Sequence, residues 1–175
     1  HRALVLAPRR VVHDVWPAEI QKWKQFQNLS LQILHGDRKD ISARVPADIY
    51  LMNFEGLSWA SEARLLNTFD TLIVDESSKM KNWTSRRMLL LKRYLGQFNR
   101  RHILTGSPMP RTLVDYFSQQ FIVDMGATLV HSVTTFQKSF FYDASYDPNY
   151  HVWMPRHGAF ETVVNLISPH AFRLD

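Results

Sequence analysis

The chain has 175 residues, 45% of them hydrophobic and 21% charged, enough for one domain with a full core and too few for two of ordinary size. That composition excludes a disordered chain, and no apolar run reaches the roughly 18 residues that would cross a bilayer. Zero cysteines exclude disulfides and thiolate metal sites, and the net charge of +5 is compatible with a polyanionic partner such as DNA or RNA.

In chain order, Ala3 to Ala7 is a short apolar run stopped by Pro8, which predicts a buried strand. Val12, Trp16, Ile20 and Trp23 recur at helical spacing and predict a helix with one apolar face, both tryptophans packed in the core. Pro17 either kinks that helix or starts its second part. Leu29 to Leu34 is strand-like and ends at the turn signal His35-Gly36-Asp37, and Asp48 to Met52 is another short buried run. A helix is expected across Ser61 to Asn67, and then an apolar strand, Thr71 to Val74, leads into Asp75-Glu76-Ser77-Ser78.

Thr84 to Leu95 predicts a helix with Thr84 as N-cap and Met88, Leu91 and Leu95 on one face. The next strand, His102 to Leu104, ends in Thr105-Gly106-Ser107-Pro108. Leu113 to Val123 predicts a second helix, with Leu113, Tyr116, Phe117, Gln120 and Phe121 at helical spacing. Beyond Gly126 the pattern weakens: a short helix around Phe136, Phe140 and Phe141, a loop from Asp143 to Tyr150, and a last helix from Phe160 to Ile167. Strands alternating with helices imply an α/β fold with a mostly parallel sheet flanked by helices.

Such folds bind ligands at the carboxyl ends of their strands. An apolar strand leading into adjacent carboxylates is the Walker B arrangement, in which Asp75 would hold Mg²⁺ and Glu76 would orient or deprotonate an attacking water. The plainer alternative is an acidic strand end that caps the next helix. A Glu-x-Lys nuclease core would need a lysine two residues after Glu76, and Lys79 stands three after it. The histidine pairs His151/His157 and His131/His170 do not fall at helical metal-ligand spacing.

These motifs together resemble the first RecA-like lobe of superfamily-two helicases, specifically the Swi/Snf-like DNA translocases. Leu4-Val5-Leu6-Ala7-Pro8 running on to Glu19-Ile20-Gln21-Lys22-Trp23 looks like motif Ia and its helix. His35-Gly36 and then Ala47 to Asn53 resemble the segment around motif Ib. Asp75 to Asn82, with Ser85 and Arg86 after it, resembles motif II and its extension, Leu104 to Pro108 resembles motif III, and Pro169 to Arg173 resembles the segment that closes the lobe. The likeness covers nearly the whole chain in order. The commoner motif II ends Asp-Glu-Ala-His or Asp-Glu-Gly-His, and the Ser77-Ser78 ending looks like members carried by phages and prophages, which weakens the expected link from Ser78 to motif III. Ser107 stands for the usual Thr, and Arg111 stands where many members have Asn.

The resemblance implies a three-layer RecA-like (P-loop NTPase) fold, with residues 1–175 a partial N-terminal ATP-binding lobe and a second RecA-like lobe elsewhere in the same parent chain. It implies ATP and Mg²⁺ as cofactors, with Asp75 as metal ligand and Asp75 and Glu76 as catalytic groups. Thr105, Gly106 and Ser107 would couple the nucleotide site to the nucleic-acid groove; the plainer alternative is a tight Gly-Pro turn with hydroxyls capping the following segment. Arg9, Arg10, Lys79 and Lys81 would contact DNA, expected to be duplex; a solvated basic turn at Arg9-Arg10 and an exposed basic helix face around Lys79, Lys81, Arg86 and Arg87 stay open as alternatives.

The P-loop pattern Gly-x-x-x-x-Gly-Lys-Ser/Thr is not in the sequence: the six glycines are followed by Asp37, Leu57, Gln97, Ser107, Ala127 and Ala159. The chain opens on His1-Arg2-Ala3-Leu4, without Met and directly against a strand, which reads as a segment of a longer intracellular protein, bacterial or phage-encoded by resemblance. The expected role is therefore part of a DNA-dependent ATPase, inactive in ATP hydrolysis alone. The rival readings are a non-catalytic nucleic-acid-binding module and a helicase-like subunit of a restriction or repair complex.

Overall fold

The computed structural model describes residues 1–106, 112–146, 149 and 151–172. Five strands, β1 (Ala3–Ala7), β2 (Leu31–Ile33), β3 (Ile49–Asn53), β4 (Thr71–Asp75) and β5 (Arg100–Leu104), form one sheet in the order β2-β3-β1-β4-β5. Every pairing in it is parallel. Parallel neighbours need crossovers, and these carry α1 (Trp16–Lys22), α2 (Lys39–Arg44), α3 (Leu57–Glu62) and α4 (Arg86–Lys92).

Side chains alternate across each strand, so the central strands feed two cores. Leu4, Leu6, Tyr50, Met52, Leu72 and Val74 face the larger core, closed by residues of α3 and α4 such as Leu57, Ala60, Met88 and Leu91. Val5, Ala7 and Leu51 face the other, where Val12, Trp16 and Ile73 pack. This helix–sheet–helix layering is the expected α/β class.

After β5 come α5 (Leu113–Asp124), α6 (Val133–Phe140), a hairpin of β6 (Phe141–Asp143) and β7 (Trp153–Pro155), and α7 (Ala159–Ile167). Their apolar faces, Leu113, Phe117, Phe136, Phe141, Ala159 and Val163, form a further core that also takes Trp83. α5 starts in a capping box between Thr112 and Asp115 and stops at Met125 (φ 58), followed by Gly126 (φ 96). Arg101 holds α5 on the sheet: its Nε donates to the Val123 carbonyl at 2.8 Å, and its Nη1 donates to the carbonyls of Leu95 and Phe98 at 2.9 and 2.7 Å.

Several local expectations change. α3 lies earlier than the expected helix over Ser61 to Asn67, because Arg64 adopts φ 54 and breaks the run before a 3₁₀ turn at Leu65–Thr68. α4 is capped by Ser85, whose Oγ accepts from the Met88 N–H, whereas Thr84 bonds to Asn82 instead; Leu95 is buried in a separate 3₁₀ turn. Pro17 begins the second part of its helix, following a π-turn at Val11–Val15. Trp23 is 47% exposed rather than packed in the core: it sits at the C-cap of α1, and its indole donates to Glu19. The expected loop after Asp143 is flanked by β6 and β7, strands too short to show an alternating pattern.

Candidate functional site

Because all five strands run the same way, their carboxyl ends gather at one edge of the sheet. β1 leads across β3 to β2, and the later strands β4 and β5 add on its other side, so the order reverses between β1 and β4. A crevice forms at such a reversal. Asp75 ends β4 there, in register with Leu104 of β5, while Leu6 of β1 pairs with Val74. Arg9 and Arg10 follow β1 and Thr105 and Gly106 follow β5, so these sequence-predicted residues share the edge with Asp75 and Glu76. Ser107, Pro108 and Arg111 lie outside the described residues.

Asp75 is half-buried, and both of its carboxylate oxygens are held. Oδ2 accepts the indole Nε1–H of Trp16 at 2.8 Å, and Oδ1 accepts the backbone N–H of Glu76 at 2.9 Å. Glu76 itself is left-handed, with φ 55 and ψ 53. For a residue with a Cβ that conformation costs about 1–2 kcal/mol, and such strain gathers at functional sites. Among the described residues no lysine or arginine forms an ion pair with Asp75 or Glu76. Two adjacent carboxylates with no such ion pair among the described residues, one of them pre-oriented, suit a hard oxygen-seeking dication such as Mg²⁺.

Beyond Glu76 a 3₁₀ turn, Ser77–Met80, is pinned from both sides. Met80 is fully buried, and so is Ser77, whose Oγ donates to Oε1 of the buried Gln119 on α5 at 2.6 Å. This motif is thereby tied to α5, the helix that follows β5, through Ser77. Lys79 projects to solvent from the same turn, whereas Lys81 is half-buried with its Nζ 3.9 Å from Asp115 at the start of α5. Trp83 stacks edge-on against Phe117 and Phe121, with the Lys92 ammonium 3.7 Å over its ring. Burial holds the Lys92 pKa below the ordinary lysine range.

Arg9 and Arg10 are both exposed at the head of the π-turn. His35, in the turn after β2, lies edge-on to His13 at 4.9 Å. Its pKa is lowered first by burial and then by the charge of Arg9, which draws the turns after β1 and β2 into one electrostatic neighbourhood. The structure thus joins Arg9, Arg10, Asp75, Glu76, Thr105 and Gly106 at one edge, leaves Lys79 free to reach solvent beside it, and commits Lys81 to Asp115.

Sequence reasoning missed Trp16 and Gln119 as members of the site. An indole N–H in a predicted core needs an acceptor, and three polar residues, Ser118, Gln119 and Gln120, sit between Phe117 and Phe121. Those were the available signals.

The family profile described as SNF2-related domain matches residues 1–166. The protein p41 of Acyrthosiphon pisum secondary endosymbiont phage 1 is 32% identical over 148 residues, covering 79% of this chain and 32% of the phage protein. The DNA repair and recombination protein RAD54-like of Gallus gallus is 26% identical over 136 residues, covering 71% of this chain and 18% of that protein. The chain thus spans a third or less of these relatives. The Sulfolobus solfataricus SWI2/SNF2 ATPase core in complex with dsDNA superposes with a TM-score of 0.73 at 22% identity, covering 99% of this chain and 33% of that one.

Proposed function

Because the chain belongs to the SNF2-related domain family, we propose that it is the partial N-terminal RecA-like lobe of a DNA-dependent ATPase that moves along duplex DNA. The observation that carries this reading is the pair of carboxylates, Asp75 and Glu76, without an ion-paired lysine or arginine among the described residues, at the point where the strand order reverses. The solved neighbour bound to double-stranded DNA supports the choice of duplex as partner.

In this reading Asp75 holds the Mg²⁺ that accompanies ATP, and Glu76 orients the attacking water and takes its proton. The ion, when bound, neutralises phosphate charge. Thr105, Gly106 and Ser107 report nucleotide state to the nucleic-acid groove. Arg9, Arg10 and Lys79 contact backbone phosphates, which sets register without reading sequence. Lys81 has a competing partner in Asp115 and contributes less than the other three. The sequence contains no P-loop and no second lobe, so residues 1–175 alone are proposed to lack useful ATP hydrolysis.

The test is DNA-stimulated ATP hydrolysis by the natural protein that carries this sequence, beside its Glu76→Gln variant. Loss of a general base typically costs about 10²–10⁴-fold in rate, and a fall of that size with DNA affinity unchanged is expected. DNA binding without any hydrolysis in the unmodified protein would make the chain a non-catalytic binding module instead.

A further inference from the structure

We propose that Trp16 is a positioning residue for Asp75: its indole N–H fixes the carboxylate in the orientation that receives the metal. This rests on the reading of Asp75 as the Mg²⁺ ligand. A carboxylate at a strand end has two free torsions, and here both oxygens are anchored. The Glu76 N–H on Oδ1 comes from the same strand end, so it turns with it. The Trp16 N–H on Oδ2 comes from a different element, across 59 residues of chain, and among the described residues it alone ties the carboxylate to the rest of the fold by a hydrogen bond. An indole N–H donates and has no lone pair, so it orients the carboxylate without competing for the cation. Each carboxylate oxygen keeps acceptor capacity for a metal or its waters.

The indole is itself held. Trp16 packs on the cluster of Val5, Ala7, Val12 and Leu51, beneath the strand that neighbours β4. Its direction is set by the π-turn at Val11–Val15, in which the Trp16 N–H bonds to the Val11 carbonyl five residues back. Pro17 has no N–H to continue the four-residue ladder, which accounts for the widened turn at this place. Single π-turns recur at functional sites. This one begins directly after Arg9 and Arg10, so the guanidinium groups and the indole that touches Asp75 ride on one short segment.

Groups that orient a metal ligand from outside the coordination sphere typically change metal affinity or activity by about 10–100-fold. The experiment uses the natural protein with Trp16→Phe, and with Trp16 replaced by benzothienylalanine, which keeps the shape of indole and lacks the N–H. Mn²⁺ affinity in the presence of ADP is read by electron paramagnetic resonance, and the Mg²⁺ midpoint of DNA-stimulated hydrolysis is read beside it. Both midpoints are expected to rise about tenfold, with thermal stability of the benzothienylalanine protein close to wild type. A purely structural Trp16 would lower stability and leave both midpoints where they were, which would overturn the proposal. Asp75→Asn separates the two levels. If it abolishes hydrolysis while the Trp16 variants keep wild-type midpoints, only the positioning role falls. If Asp75→Asn keeps wild-type hydrolysis and Mn²⁺ affinity, the ligand reading falls and the positioning role with it.

Discussion

Glu76 stands at φ 55 and ψ 53 immediately after the strand that ends in Asp75, a backbone state that glycine would enter freely. Replacing it with Gly removes the steric cost and adds some unfolded-state entropy, for a net stabilisation of about 0.5–1 kcal/mol. Glu76→Gln keeps the Cβ and the strain, so its stability should match that of the unmodified chain. Denaturant midpoints of the two variants check this: a Glu76→Gly protein no more stable than Glu76→Gln would mean that the left-handed backbone stores no strain. In the natural protein both variants should lose hydrolysis, so that stability and activity part company at one residue. Asp75 and Glu76 were legible because an apolar run followed by two acids is a local pattern. The left-handed backbone of Glu76 was not, since nothing in a glutamate signals positive φ.

Among the elements, α5 connects the edge of the sheet to the C-terminal helices and hairpin. One of its contacts with the candidate site is the hydrogen bond between Ser77 and Gln119, both buried. Gln119→Leu would leave the Ser77 hydroxyl buried without that acceptor, at a cost of about 1–3 kcal/mol. Adding Ser77→Ala removes the stranded hydroxyl and should recover part of the loss. A double-mutant cycle on thermal or urea unfolding measures the coupling; purely additive losses would mean that the two side chains do not act as a pair. α5 itself was readable from its helical spacing. Its placement against the 3₁₀ turn after Glu76 was not, because Ser77 and Gln119 are 42 residues apart. The helix boundaries that shifted, at Arg64 and at Ser85, turned on backbone angles and on which of two adjacent hydroxyls reaches an amide.

For the molecule as a whole, charge and pH give two further expectations. Burial and the neighbouring Arg9 hold the pKa of His35 below the ordinary histidine value, so the unfolded chain binds the extra proton first as pH falls. His35 therefore adds no penalty above about pH 6.5, and stability drops as pH is lowered from there through its folded pKa. His35→Gln should flatten the fall in melting temperature between about pH 7 and 5; an unchanged slope would remove His35 as a source of acid sensitivity. On the basic side, Arg9→Ala with Arg10→Ala in the natural protein tests phosphate contact. If both arginines neutralise phosphates, the log–log slope of duplex affinity against salt should shrink by about 1.8, and an unchanged slope would make them a solvated turn.

The sequence by itself determined what depends on neighbours in the chain. Buried strands showed as short apolar runs, most helices as apolar residues at helical spacing, and the motifs in their order identified the family. The alternation of these elements was enough for a parallel α/β sheet. Tertiary structure decided what depends on residues far apart: the strand order that brings Arg9, Asp75 and Thr105 to one edge, the indole of Trp16 on the Asp75 carboxylate, and the commitment of Lys81 to Asp115. A side chain's periodicity says which face it occupies, but its hydrogen-bond partner is chosen by packing. Trp16 and Trp23 share one predicted helical face, yet Trp16 reaches Asp75 and Trp23 turns to solvent, because Pro17 interrupts the ladder between them and α1 ends at Lys22.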